Sequence, residues 1–260
     1  MTSSTPTPPA IRVSGLSKSF TLHNQGGARI GVLTEATLTV AAGECVALGG
    51  ASGSGKSTLL RMLAGNYLAT EGSIRIAGTE IVGAPPRTIA ALRRDRLGHV
   101  SQFLRVVPRV AARDVVAEPL LARGMAPEAA RARAESLLDR LNLPARLWGL
   151  SPTTFSGGEQ QRVNVARGFA HPYPVLLLDE PTASLDATNR DVVLALIEEA
   201  KACGTAIVGI FHDAQARDRV CDRVVDVSTF APTSSPDATA PLTQPSPPAG
   251  GEGGSAPAAE

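Results

Sequence analysis

At 260 residues, 43% of them hydrophobic and 19% charged, the chain suits one ordinary globular domain with a sizeable core, and the composition excludes a wholly disordered protein. Its net charge of +1 removes any global electrostatic case for binding nucleic acid or a membrane surface. Three cysteines, Cys45, Cys203 and Cys221, lie far apart in sequence; they form no metal-type pair and no disulfide framework, and read as small buried residues in a reducing cytoplasm.

Residues 1–10 are Thr, Ser and Pro with almost nothing to bury, and read as a disordered lead. Ile11 to Leu22 reads as a strand, and the Gly- and Asn-containing stretch after it as a loop. Leu33 to Val40 alternates apolar and polar residues, as a half-buried strand does. The short apolar run Glu44 to Leu48 reads as a buried strand, and Ser57 to Ala64 as a helix. Between them lies Gly50-Ala51-Ser52-Gly53-Ser54-Gly55-Lys56-Ser57-Thr58, which fits the phosphate-binding loop G-x-x-x-x-G-K-[ST] in its proper strand–loop–helix setting. Glycines let the backbone fold around an anion without a Cβ in the way. Loop N–H groups and the positive helix N-terminus then face the phosphates. Lys56 can reach the β- and γ-phosphates, and the Ser57 hydroxyl can ligate Mg²⁺.

A strand follows at Gly72 to Ala77. Arg87 to Arg96 carries four arginines, which serve equally well as a solvated helix face or as a patch for an acidic partner, with Arg105 and Arg109 extending it. Leu97 to Val100 is a strand running into Ser101 and Gln102, and Asp114 to Arg123 and Pro127 to Leu143 are helical. The region 101–165 therefore reads as a helical subdomain, with Trp148 as a packing residue. Val175 to Leu178 is an uninterrupted apolar strand of the kind buried on both faces of a parallel sheet. Ala187 to Ala202 is helical, Ala206 to Phe211 a strand, and Arg223 to Val227 a further strand. Alternating strands and helices give an α/β domain, 11–228, with a mainly parallel sheet covered by helices on both faces, beside a small antiparallel layer. Residues 229–260 are Pro, Ala, Ser, Gly and Thr, and read as a disordered low-complexity tail.

No apolar run approaches the roughly 20 residues a membrane helix needs, and no basic stretch with an apolar core marks a signal peptide. The expected location is cytoplasmic, with no direct membrane insertion and no nucleic acid partner.

Two further motifs name the chemistry. Asp179 ends the apolar strand and is the expected second anchor for Mg²⁺, while Glu180 can polarise an attacking water as general base. Ser156-Gly157-Gly158-Glu159-Gln160 opens a helix whose free N–H groups can hold an anion. Because the local loop already covers the phosphates, this second anion site makes sense for a nucleotide held by another subunit.

Taken together, these stretches resemble an ABC-type ATPase domain from about Ile11 to Val227. The resemblance implies the ABC ATPase fold, ATP and Mg²⁺ as cofactors, and a second ATPase subunit, identical or a sister chain. It places Phe20 where the family stacks an aromatic on adenine. Gln102 falls at the glutamine that touches Mg²⁺ or water. Ser156 to Gly158, with Glu159 and Gln160, fall at the signature loop. Asp186 falls at the acidic residue of the loop crossing the dimer interface, and His212 at the histidine that contacts the γ-phosphate. His23, His99 and His171 match nothing. Ala51 stands where many members carry proline, and Glu159 where glutamine is commoner. Within the family, Gln102 to Arg109, Leu147 to Leu150, Thr153 to Arg162, Ser184 to Arg190 and Gly209 to Asp213 resemble the PhnL-type ATPases of the bacterial carbon–phosphorus lyase system. That implies a role in phosphonate breakdown, with the lyase core proteins as partners, and coupling to formation of ribose 1-phosphonate 5-triphosphate. The cassette motifs serve equally in a membrane importer or exporter. A non-catalytic assembly factor is the third reading, and the presence of Glu180 and His212 argues against it.

Overall fold

The computed structural model describes residues 8–22 and 27–232. Most of the lead and of the tail, together with His23, lies outside the described residues.

Two sheets organise the chain. A parallel sheet has the order β6-β7-β8-β3-β9, formed by Cys45–Gly49 (β3), Leu97–Val100 (β6), Val175–Asp179 (β7), Ala206–Ile210 (β8) and Arg223–Asp226 (β9). An antiparallel sheet has the order β2-β1-β4-β5, formed by Ile11–Leu22 (β1), Ala28–Val40 (β2), Glu71–Ile76 (β4) and Thr79–Glu80 (β5). Both β7 and β8 are buried at every position, which is why they read as unbroken apolar runs.

Alternation along the central strands sends neighbouring side chains into two different cores. Cys45, Ala47, Leu176, Leu178 and Ile207 join a core with Ala112–Leu121 (α3), Pro127–Arg140 (α4), Gly157–Gly168 (α5), Ala187–Ala202 (α6) and Ala214–Val220 (α7). Val46, Leu48, Val175, Leu177 and Val208 join the other, with Lys56–Leu63 (α1), Leu92 of Pro86–Asp95 (α2), and the inward face of the antiparallel sheet: Ile11, Val13, Leu38, Ile74 and Ile76. Helices therefore lie on both faces of the parallel sheet, as expected. On one of them the antiparallel layer shares the covering with α1 and α2, because its own apolar face needs the same burial.

Helices α3, α4 and α5 share their core with the parallel sheet. Pro127 takes the first turn of α4, where its missing N–H costs nothing. That helix ends at Arg140, short of Leu143, because Asn142 turns to φ 55°. Trp148 packs against this core and donates its ring N–H to the Leu143 carbonyl at 2.9 Å, as a packing residue should.

Candidate functional site

The phosphate loop joins β3 to α1, at the end of a strand flanked on both sides by parallel neighbours. Gly50, Gly53 and Gly55 all take positive φ, at 115°, 80° and 97°. At Gly50 a Cβ would also meet Asp226 Oδ1 and Ser54 Oγ, each at 2.8 Å, so only glycine fits. Asp226 itself accepts from the Ser228 hydroxyl and N–H, and those bonds hold its carboxyl below the usual range. This turn behind the loop was missed by sequence reasoning. Its only local signal is the Asp-x-Ser spacing at the end of β9.

Several features fit the loop to a polyphosphate. Helix α1 begins with no side-chain cap and no acidic residue in its first turn, so its N-terminal N–H groups are left for a ligand. Lys56 Nζ donates to the Gly50 and Ala51 carbonyls at 2.7 Å each, which poises the ammonium over the loop. Ser54 Oγ is buried with no hydrogen-bond partner. Ser52 and Gly53 are exposed on the loop, and in the first turn of α1 Ser57 is exposed and Thr58 half-buried.

Asp179 ends β7 with 7% of its surface exposed. Burial first, and then the neighbouring Glu180 carboxylate, push its carboxyl up. A buried carboxylate in that position is suited to a divalent cation. Glu180 follows in a left-handed turn at φ 54°, its N–H donating to the Ile210 carbonyl at 3.0 Å. This turn aims the side chain at His212, whose Nε2 lies 2.8 Å from Glu180 Oε1. His212 is exposed and Glu180 mostly covered. A carboxylate beside an imidazole, one residue beyond a metal-suited carboxylate, can orient and deprotonate a water.

The Ser156 stretch is built differently. Ser156 caps α5 in a complete capping box: its backbone N–H and its hydroxyl both donate to Glu159 Oε2, at 2.8 and 2.7 Å, while Glu159 N–H donates back to Ser156 Oγ at 3.3 Å. The Ser156 hydroxyl, as the first cause, lowers the Glu159 carboxyl. Gly158 sits against the loop after β7: a Cβ there would meet the Ser184 carbonyl at 2.9 Å. Gln160 Nε2 donates to the Phe155 carbonyl at 2.9 Å. Asp186 caps α6 by accepting from the Asn189 N–H at 2.8 Å, which holds its carboxyl low.

Phe20 is half-buried on β1. Tyr67 meets it edge-on with ring centroids 5.5 Å apart, and Lys18 Nζ lies 4.6 Å from its centroid. Gln102 is exposed, directly beyond β6. It borders a cleft of about 970 Å³ that Asp179, Arg61, Tyr67, Arg93 and Arg167 also line, and that takes no residue from Gly50 to Thr58.

The arginine stretch divides. Arg93 is a structural tie, donating to the Ala64 carbonyl at 2.8 Å and to Asn66, and Arg94 pairs with Asp95 at 2.8 Å. Cys45 and Cys221, distant in sequence, bring their sulfurs to 3.5 Å, a contact no spacing rule could reveal. Hydrogen bonding to Cys221, and then burial, push the Cys45 thiol up.

With this geometry in place, the comparisons decide the family. The family described as ABC transporter matches residues 33–183. The chain belongs to the ABC transporter family. The ABC relatives include the lipoprotein-releasing system ATP-binding protein LolD of Alcanivorax borkumensis, 40% identical over 208 residues, covering 80% of this chain and 90% of that protein. The macrolide export ATP-binding/permease protein MacB 1 of Aeromonas hydrophila is 39% identical over 223 residues, covering 86% of this chain. The chain spans only 34% of that longer protein. Among solved ABC structures, the dimeric, post-hydrolysis ATP-binding cassette MJ0796 bound to ADP and Pi has a TM-score of 0.77 at 28% identity, with 84% of this chain and 95% of that one covered. The ABC ATPase fold expected from the residues is the fold observed. The relatives named above are a macrolide export protein and a lipoprotein-releasing system protein. No helix among the described residues is long and apolar enough to cross a membrane.

Proposed function

We propose that this chain is an ATP-hydrolysing subunit whose nucleotide is shared between two copies. ATP lies on Gly50 to Thr58 with Phe20 against the adenine. Lys56 neutralises the β- and γ-phosphates. Mg²⁺, when bound, is held by Ser57, Asp179 and Gln102 and offsets charge developing on the transferred phosphoryl group. Glu180 takes a proton from the attacking water, and His212 contacts the γ-phosphate. Ser156 to Gln160 of the second copy close over the same nucleotide, with Asp186 in the loop between them. Hydrolysis removes the shared γ-phosphate and the pair opens, delivering motion to a partner through the Gln102 region. One observation carries the hydrolytic reading: Glu180 directly follows Asp179 at the end of β7 and lies 2.8 Å from His212. Phosphate release from purified chain with Mg-ATP tests it. The expected result is turnover in the natural sequence and loss of turnover, with ATP binding kept, in Glu180→Gln.

For what the cycle drives, the relatives favour a membrane permease, since those compared act in export and lipoprotein release. A second reading, an ATPase of the carbon–phosphorus lyase assembly linked to ribose 1-phosphonate 5-triphosphate formation, is favoured by a different observation. The stretches that resemble PhnL-type proteins are spread from Gln102 to Asp213, well beyond the motifs every cassette needs. Purification from the native host separates the two. Co-purifying permease supports the first reading, and co-purifying lyase core proteins from the membrane-free fraction support the second.

A further inference from the structure

Among the described residues, the buried polar or charged side chains are Gln161, Asn164, Asp179, Asn189 and Thr205. A buried amide must be fully matched to be tolerated, so the partners of the first two carry information. Gln161 Nε2 donates to the Glu180 carbonyl at 3.2 Å and to the Pro181 carbonyl at 3.0 Å. Asn164, one turn further along α5, donates to the Ser101 carbonyl at 2.5 Å and to Gln161 Oε1 at 3.4 Å. The two side chains therefore join three places in one line: the turn that aims Glu180, the body of α5, and the residue before Gln102.

Gln161 and Asn164 lie on the helix that Ser156 opens. Glu180 sits in a left-handed conformation that a non-glycine residue adopts only when its surroundings hold it there. Its N–H is held from one side by Ile210, and its carbonyl from the other by Gln161. Any displacement of α5 along its axis acts directly on that carbonyl.

We infer that Gln161 and Asn164 are positioning residues that make the seating of α5 on one nucleotide set the Glu180 and Gln102 segments serving the other. This rests on the two-copy reading above. Ser156 would engage the nucleotide of the opposite copy, while Gln161 acts on the Glu180 of its own. The pair of amides is thus a link between the two ATP sites of a dimer, and neither amide touches ATP itself.

The test compares Gln161→Met and Asn164→Leu, each close to the original volume and lacking the donor, with the natural sequence. ATP affinity is read with a fluorescent ATP analogue, turnover by phosphate release, and folding by a thermal melt. The expected result is unchanged affinity within about twofold, and kcat lowered about tenfold as the hydrogen bonds to the Glu180 turn and to Ser101 are lost. The Hill coefficient should fall from near 2 toward 1 as the coupling is lost. A lowered melting temperature with kcat and Hill coefficient both retained overturns the inference, because it leaves the amides a packing role alone. Where Gln161→Met fails to fold, Asn164→Leu carries the same test from the Ser101 end. A natural sequence that turns over with a Hill coefficient of 1 and forms no dimer overturns the two-copy reading along with it, so the two failures are told apart by the unmutated protein.

Discussion

Helices α1 and α5 both start at glycine-rich loops, and both are suited to anions, yet their N-termini are finished in opposite ways. Helix α1 has Gly55 before it, no side-chain cap, and no acid in its first turn. Helix α5 has a complete capping box and an acid, Glu159, in its first turn. The difference teaches what each is waiting for. The α1 end has orphan N–H groups and an unpartnered Ser54 hydroxyl, so it is incomplete until a phosphate arrives. At the α5 end the capping box occupies the Ser156 and Glu159 N–H groups and leaves those of Gly157 and Gly158, which the two-copy reading assigns to a phosphate of the second copy.

The largest effect expected on nucleotide binding is at α1. Lys56→Ala removes the only cation of the loop and should weaken Mg-ATP binding by about a hundredfold, a loss on the scale of charge-assisted hydrogen bonds. Calorimetric titration measures it. Glu180→Gln keeps the loop intact and should lower turnover about a thousandfold, within the range of general-base removal, at unchanged affinity. Single-turnover phosphate release is the readout. On the α5 side, Glu159→Gln preserves the capping-box geometry while deleting a negative charge beside the incoming phosphate. It should tighten ATP-dependent dimerisation by about three- to tenfold at low salt, with the gain shrinking as salt rises. Unchanged dimerisation would mean that the carboxylate does not face the nucleotide.

How far these features could be read in advance depended on whether their cause is local. Helix α6 appears at Ala187–Ala202 as expected, because Asp186 caps it and its apolar spacing is long. Helix α7 was missed, since Ala214–Val220 is seven residues long and mostly polar, too short for periodicity to register. Strand β5, two residues long, has no local signal either. At the site, glycine, lysine and carboxylate positions followed from loop chemistry. Asp226 behind Gly50 and Ser184 against Gly158 did not, because each contact joins segments that only the folded sheet brings together.

An effect on stability, independent of nucleotide, lies at the border of the cleft. Burial, and then the charge of Arg93, lower the His99 imidazole from 6.5 to about 4. The unfolded chain therefore binds a proton that the folded chain refuses, so stability is complete above pH 6.5 and is lost as pH falls from there toward 4. His99→Gln should flatten that acid-side slope, by about 3 kcal/mol across the interval. Denaturant melts at stepped pH measure it.

The central claim is that each phosphate loop is half of a site. Light scattering on Glu180→Gln, with and without saturating Mg-ATP, tests it most directly. The mass is expected to double with Mg-ATP and to return to that of a single chain when the nucleotide is removed. A single-chain mass with ATP bound at full occupancy would contradict it.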